Sequence, residues 1–134
     1  MGSLIDTSLW VDHFRLTTPA DVKSQVLSYV NKRDICVGEP ILFELLAACS
    51  KRDRPRLERY FALIPVLPAP ASLWRDATRL GQRCADVGLV VPAMDLLIAS
   101  LCVHHDVELI TFDSHFAGIG RLAPFKVTCL TRAT

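Results

Sequence analysis

Short apolar segments alternate along the chain with longer segments in which apolar side chains recur every three or four residues. The short segments are typical of buried strands, and the longer ones have the spacing of one helix face. Strands are therefore predicted at 4–6, 35–37, 64–67, 107–111 and 126–130, and helices at 19–33, 41–49, 54–61, 72–87 and 96–103.

Three local features refine this pattern. Thr7 and Ser8 offer hydroxyls suited to capping a helix that follows the first strand. The segment 41–49 is apolar nearly all round, which predicts a buried helix. The helix at 72–87 is amphipathic, and its predicted core-facing side carries Leu73, Trp74, Ala77, Leu80, Cys84 and Val87.

Strands that alternate with helices indicate an α/β sandwich with a mostly parallel sheet. The 134 residues suffice for one domain, 1–134, with a single core. A hydrophobic fraction of 51% and a charged fraction of 22% exclude a disordered chain.

Composition also limits where the protein acts. No apolar run approaches the roughly 18 residues of a membrane span, and residues 1–10 lack the basic region of a signal peptide. The five cysteines are widely spaced and form no C-x-x-C pair, which predicts reduced core thiols in a cytoplasmic protein. The net charge of +1 does not by itself indicate a nucleic-acid binder.

Four carboxylates stand in unusual surroundings. Asp6 ends the first strand, and Asp113 follows the strand at 107–111 after one residue. Asp95 opens a very apolar helix, and Glu44 lies within the apolar segment 41–49. An ionised carboxylate buried without a partner costs several kcal/mol, so each of the four requires a compensating group.

Each acid also has a plain structural explanation. Asp6 and Asp95 suit helix N-caps, and Asp113 suits a cap for a short helix starting at Ser114. Glu44 has no capping role in mid-helix, which leaves a buried ion pair as its alternative.

Taken together, the four acids predict a metal site. Ligands of open parallel sheets bind beyond the carboxyl ends of the strands, where strand order reverses. Converging carboxylates repel one another unless a cation lies between them, and oxygen ligands favour Mg²⁺ or Mn²⁺ over zinc. Such a centre suits cleavage of a phosphodiester bond.

These residues also carry a family likeness along essentially the whole chain. The segment Leu4-Ile5-Asp6-Thr7-Ser8 resembles the first motif of PIN domains, especially those of the VapC toxins. Three further segments are similar to the later motifs in order: Phe43-Glu44-Leu45, Pro92-Ala93-Met94-Asp95-Leu96-Leu97-Ile98-Ala99 and Thr111-Phe112-Asp113-Ser114-His115-Phe116. Phe112 departs from the pattern, since the family often has a polar or basic residue there.

The resemblance implies a PIN-like three-layer α/β/α sandwich with a five-stranded parallel sheet. It implies an Mg²⁺- or Mn²⁺-dependent endoribonuclease toxin that cleaves tRNA, rRNA or mRNA by metal-activated water. Asp6, Glu44, Asp95 and Asp113 would be its catalytic acids, Asp6 and Asp95 its primary metal ligands, and Ser8 and Thr7 supporting residues. The implied partners are RNA, an antitoxin protein whose tail enters the acidic groove, and a second copy in a homodimer.

Other functions compete with this reading. A catalytically silent PIN-like module that binds RNA or protein would be marked by loss of one of the acids, yet all four are present. An aspartate-nucleophile phosphatase would have a second aspartate at position 8, where this chain has Ser8. His104 and His105 suit a polar helix terminus better than a metal site, and Trp10 and Trp74 suit core packing or a dimer face better than base stacking.

Overall fold

The computed structural model of the chain describes residues 2–132. Met1, Ala133 and Thr134, at the ends of the predicted domain 1–134, lie outside the described residues. Within residues 2–132 there are five strands: β1 (Ser3–Ile5), β2 (Ile35–Gly38), β3 (Val66–Leu67), β4 (Glu108–Thr111) and β5 (Val127–Cys129). The seven helices of this range are α1 (Thr7–Phe14), α2 (Ala20–Val30), α3 (Glu39–Ala48), α4 (Arg54–Phe61), α5 (Leu73–Asp86), α6 (Ala93–His105) and α7 (His115–Gly120).

All five strands pair in parallel, in the order β3-β2-β1-β4-β5. The chain runs outward from β1 through β2 to β3, then returns to the other side of β1 for β4 and β5. Right-handed crossovers place α1–α4 on one face of such a sheet and α5–α7 on the other. The contacts within each of these two groups agree with that placement. The predicted three-layer α/β/α sandwich with a five-stranded parallel sheet is confirmed.

The core forms where the central strands meet the helices on both faces. Leu4, Ile5 and Leu109 on β1 and β4 have no exposed surface. Trp10 on α1 is also fully buried and donates its indole N–H to the carbonyl of Ile5 at 3.0 Å. This bond joins α1 to the strand that precedes it, so the orientation of α1 follows from the core.

Two helices bury less than their patterns predict. Trp74 and Val87 are 71% and 64% exposed, although the spacing of α5 places them beside its buried residues. The prediction that α3 is buried is also wrong in part, because Phe43 is 63% exposed. Some apolar residues of both helices therefore face outward.

Gly38, the last residue of β2, is required by the packing of α6. A Cβ atom at this position would lie 2.3 Å from Cδ2 of Leu101, which is itself fully buried. We expect Gly38→Ala to lower the free energy of unfolding by about 1–3 kcal/mol, measured by urea denaturation. Gly118→Ala is the control, since its Cβ would meet only Leu89 at ordinary contact distances of 3.4 and 3.5 Å. Equal stabilities of the two variants would contradict this account.

The prediction of core cysteines holds for three of the five, because Cys49 is only partly buried and Cys129 is exposed. All five cysteines are free thiols, and three of them, Cys36, Cys84 and Cys102, are buried. Among the helices of residues 2–132, none has both the length and the apolar character needed to cross a membrane.

Candidate metal centre

Two of the four acids follow the central strands of the sheet. Asp6 comes directly after β1, and Asp113 lies two residues after β4. The two strands are neighbours, and the backbone N–H of Asp6 donates to the carbonyl of Ile110 at 3.0 Å. Strand order reverses between β1 and β4, so both acids lie at the point where open parallel sheets bind ligands.

The other two acids reach this edge from helices. Asp95 lies in the first turn of α6, and Glu44 lies in the middle of α3. The hydroxyl of Thr7, the first residue of α1, donates to Oε1 of Glu44 at 2.8 Å. This bond brings Glu44 beside the end of β1, so its mid-helix carboxylate is neither a cap nor a member of an ion pair within the described residues.

The pKa of Asp95 reflects the charges of the other three carboxylates. Partial burial, followed by repulsion from Asp113, Asp6 and Glu44, raises the pKa of Asp95 to about 6. His115 acts in the opposite direction on the same carboxyl. The four acids predicted from the sequence therefore lie at one end of the sheet.

Two hydroxyls hold the buried carboxylate of Asp6. Ser8 and Thr111 both donate to its Oδ2 atom, at 2.9 and 2.7 Å. Asp6 is only 5% exposed, and this burial raises its pKa, whereas the bonds from Thr111 and Ser8 act to lower it. The hydroxyls thus favour the ionised, metal-binding form of a carboxylate that burial alone would protonate.

The same hydroxyls fix the backbone that leads to Asp113. Ser8 Oγ accepts the backbone N–H of Phe112 at 3.1 Å, and Thr111 Oγ1 accepts that of Asp113 at 2.9 Å. Each hydroxyl therefore joins the Asp6 carboxylate to the segment after β4. Since these bonds use both the donor and an acceptor site of each hydroxyl, the relative positions of Asp6 and Asp113 are set by the fold.

The prediction that Thr7 and Ser8 cap a helix is wrong. Both residues lie inside the first turn of α1, and Asp6 occupies the N-cap position without a side-chain capping bond. The Thr7 hydroxyl instead binds Glu44, and the Ser8 hydroxyl binds Asp6. Asp113, by contrast, does accept a backbone N–H at the start of α7, that of His115 at 2.9 Å.

Sequence reasoning overlooked two residues of this pocket, Thr111 and His115. The ring Nδ1 of His115 lies 2.9 Å from Oδ1 of Asp113. One ligand atom from each of Asp95, Asp113 and His115 lies within 4.8 Å of the others, a group that does not include Asp6 or Glu44. Both residues lie within the fourth motif, of which only Asp113 was predicted as a site residue.

The donor set fits a hard divalent cation. Four carboxylates converge, and in the described part of the chain no Lys or Arg lies within 4.0 Å of any of them. Carboxylate oxygens favour Mg²⁺ or Mn²⁺. A bound cation would offset the repulsion that raises the pKa of Asp95.

Thr111 offers a test of the hydroxyl network. Thr111→Val keeps the shape of this fully buried side chain but removes its bonds to Asp6 and Asp113. We expect the affinity for Mn²⁺ to fall by roughly 10–100-fold in calorimetry, because residues that orient ligands have effects of this size. Thr128→Val is the matched control, since its hydroxyl binds Glu108 elsewhere in the sheet. An unchanged Mn²⁺ affinity with an intact fold would contradict the role given to Thr111.

A basic side chain lies beside Phe112, the residue that departs from the PIN pattern. The guanidinium of Arg132 lies 4.3 Å from the centroid of the Phe112 ring and pairs with the buried carboxylate of Asp12. Asp12 lies one turn after Ser8 on α1. Arg132 thus places a positive charge beside Phe112, at the position where the resemblance implies a polar or basic residue.

The histidine pair at the end of α6 lies apart from the acids, as expected. His104 and His105 occupy the last turn of the helix, whose first turn holds Asp95. The ring Nε2 of His105 lies 2.9 Å from the carbonyl oxygen of Pro68.

Comparison with known proteins places this site in a family context. The family model described as "PIN domain" matches residues 3–122. Ribonuclease VapC11 of Mycobacterium tuberculosis is 32% identical over 129 residues, covering 89% of this chain and 92% of the relative. Ribonuclease VapC19 of the same species is 30% identical over 122 residues, covering 90% of this chain and 97% of the relative.

The fold is also similar to solved structures. A DNA-bound VapBC complex from Salmonella typhimurium contains a chain that superposes with a TM-score of 0.76 at 17% identity, covering 96% of this chain and 98% of that chain. A FitAcB structure from Neisseria gonorrhoeae gives a TM-score of 0.75 at 18% identity, covering 93% and 95% of the two chains. At these identities the likeness concerns the fold alone.

Proposed function

Because the chain belongs to the PIN-domain family, and within it to the group of VapC ribonucleases, we propose that it is a metal-dependent endoribonuclease and the toxin of a toxin–antitoxin pair. One observation carries this proposal. The four carboxylates lie at the switch point of the sheet, and within the described residues no Lys or Arg pairs with any of them. Such a pocket attracts a divalent cation, because no Lys or Arg of the described chain neutralises it.

The residues of the pocket have distinct tasks in this proposal. Asp6 and Asp95 are the primary metal ligands, and Glu44 and Asp113 complete the acidic set. Ser8 and Thr111 orient Asp6, and Thr7 orients Glu44. When bound, Mg²⁺ or Mn²⁺ would polarise a phosphoryl oxygen of RNA and lower the pKa of a water. The chain's contribution is a fixed set of negative oxygens whose mutual repulsion a bound cation would relieve.

The acids that are not neutralised also shape substrate binding. An RNA phosphate carries negative charge, so the pocket repels it in the absence of a cation. We therefore infer that cation binding precedes productive RNA binding. The ribose 2′-OH is not required as a nucleophile, and the products would carry 5′-phosphate and 3′-hydroxyl ends.

A cleavage assay tests the proposed activity. The purified chain is incubated with a mixed pool of tRNA and rRNA in Mg²⁺, in Mn²⁺ and in EDTA. We expect discrete fragments with 5′-phosphate ends in both metals and intact RNA in EDTA. Asp86→Asn is the control for substitutions of the pocket acids. Asp86 is an exposed acid at the end of α5, so its loss leaves the pocket unchanged.

The alternative is a catalytically silent PIN-like module that binds RNA or protein. It gains support if a broad set of RNAs stays intact in both metals and calorimetry detects no Mn²⁺ binding. Metal binding without cleavage of any RNA would retain the metal centre and reject the nuclease.

An antitoxin is the proposed protein partner. A groove of about 200 Å³ runs between α1, α3 and α4, with Thr7 and Glu44 at the acidic pocket and mainly apolar residues beyond them. Trp10, Phe14 and Leu57 belong to this apolar part. A partner segment with an apolar helix face and a terminal Arg or Lys would fill the groove and pair with the carboxylates. Co-expression with such a partner is expected to abolish RNA cleavage, and Glu44→Gln is expected to weaken the complex.

A homodimer is proposed from exposed apolar side chains. Phe43 on α3 is 63% exposed, and Val87 and Val90, at the end of α5 and in the loop after it, are 64% and 91% exposed. We expect the wild-type chain to sediment as a dimer and Val90→Glu to shift it toward the monomer. A wild-type monomer at all concentrations would reject this state.

A further inference from the structure

A second cleft of the molecule lies between α5 and α6, outside the acidic pocket. It encloses about 420 Å³, and its walls include Arg79 and Arg83 of α5 and Ser100 and His104 of α6. Val103 and Pro124 give it an apolar side. The volume falls in the range of small-ligand sites, and the lining combines cationic donors with an apolar surface. Neither the fold nor the acidic site accounts for this combination.

The basic side of the cleft belongs to a row of arginines. Arg75, Arg79 and Arg83 are spaced by four residues along α5, which places them on one flank about 6 Å apart along the axis. Arg75 lies 4.0 Å from Asp76, the one acid of the cleft wall. Arg79 and Arg83 form no salt bridge with any residue in the range 2–132. Two guanidinium groups are therefore available to an anion.

Ser100 also lines the cleft. The residue is 6% exposed, and its hydroxyl forms no hydrogen bond to another described residue. Thr78 on the adjacent helix, by comparison, donates its hydroxyl to the carbonyl of Trp74. The Ser100 hydroxyl is therefore available to a ligand in the cleft.

The cleft lies farther along α6 than the acidic pocket. Gly81 and Cys84 of α5 lie beside Leu96 of α6, whereas Asp76 and Arg79 lie beside the later residues of α6, so the two helices are antiparallel. Ser100 follows Asp95 by five residues, which corresponds to about 7.5 Å along the helix axis. The arginine row thus begins near the level of the acids and leads away from them along α5.

We propose that this cleft binds a backbone phosphate of the RNA strand at a position outside the scissile bond. The proposal rests on the ribonuclease function above. The planar fork of an arginine matches phosphate oxygens, and the Ser100 hydroxyl donates to the same group. The apolar wall formed by Val103 and Pro124 accepts the ribose or base attached to it. The arginines anchor the strand at this cleft, because the acidic pocket without its cation repels phosphate.

The test measures RNA binding in an Asp6→Asn background, in which the strand is not cleaved. A fluorescein-labelled single-stranded RNA that the wild-type chain cleaves is titrated with protein, and anisotropy gives Kd. We expect Arg79→Gln/Arg83→Gln to weaken binding by about tenfold or more, since hydrogen bonds to charged groups have effects of this size. The slope of log K against log salt concentration is expected to fall by roughly 0.7–1.4, for one or two phosphate contacts.

Two further variants separate the cleft from general charge effects. Lys32→Gln/Arg33→Gln removes the same charge from an exposed turn before β2 and is expected to leave Kd within about twofold, as no buried donor group is lost there. Ser100→Ala is expected to weaken RNA binding by roughly 2–10-fold without lowering Tm, because the hydroxyl has no protein partner to lose.

The outcomes distinguish this proposal from the proposed function. If the wild-type chain cleaves RNA but the Arg79/Arg83 variant keeps the same Kd and salt slope, the phosphate site is rejected and the nuclease stands. If a 5′-mononucleotide competes as effectively as the RNA, the cleft is a nucleotide pocket and the strand contact is rejected. If the wild-type chain neither binds nor cleaves any RNA, both proposals fall.

Discussion

Asp6→Asn is expected to reduce RNA cleavage by about a thousandfold or more while the protein remains folded. In the proposed mechanism the bound cation would supply several kcal/mol of transition-state stabilisation, and loss of a primary ligand would remove most of it. The fold is retained because an Asn side-chain oxygen can still accept the bonds from Ser8 and Thr111 that reach Asp6 Oδ2. The buried carboxylate of Asp6 is also costly, so its neutral isostere does not destabilise the core.

The measurement compares initial cleavage rates in saturating Mg²⁺, with Tm as the control for folding. Asp86→Asn carries the same chemical change on the exposed end of α5 and is expected to cleave at the wild-type rate. A rate within tenfold of wild type for Asp6→Asn would remove Asp6 from the catalytic set.

Asp95→Asn is expected to raise the stability of the metal-free protein at pH 7.5 by about 1 kcal/mol, or roughly 3–5 °C in Tm. Burial and repulsion by Asp113, Asp6 and Glu44 raise the pKa of Asp95 to about 6 in the folded state, against 3.8 for the ordinary carboxyl. Above pH 6 the wild-type protein therefore holds a charge that the fold disfavours. Solvent screens part of this penalty because Asp95 is only half-buried, so the expected gain in stability is limited to about 1 kcal/mol.

The sign of the pH dependence follows from the same shift. Between pH 3.8 and about 6 the folded chain binds more protons than the unfolded chain, so wild-type stability falls as pH rises through this window. The advantage of Asp95→Asn should thus be absent below pH 4 and complete above pH 7. Saturating Mg²⁺ is expected to reverse the order at pH 7.5, since only the wild-type chain gains binding energy from the cation. A variant that is less stable at pH 7.5 without metal would contradict the crowded acidic pocket.

Much of the fold was readable because its determinants are local. Alternation and helical spacing predicted every strand and all helices except the first and last, which were expected only as short segments after Thr7 and from Ser114. Boundaries shifted by a few residues, as with α6, which begins at Ala93 and ends at His105 rather than spanning 96–103. Periodicity also overstated burial, because Trp74 shares the spacing of the buried residues of α5 yet lies 71% exposed. Whether a helix flank is covered depends on neighbours that spacing does not specify.

Which acids stand out can be predicted from the sequence alone, since a carboxylate within an apolar segment is costly wherever that segment packs. How those acids are held depends on the tertiary structure. Thr7 reaches Glu44 across 37 residues, and Thr111 reaches Asp6 across 105, so neither partner can be read from local spacing. The cleft beside Arg79 and Ser100 is likewise formed by two helices whose antiparallel packing exists only in the folded chain. Local side-chain chemistry selects the candidates, and long-range packing assigns their partners.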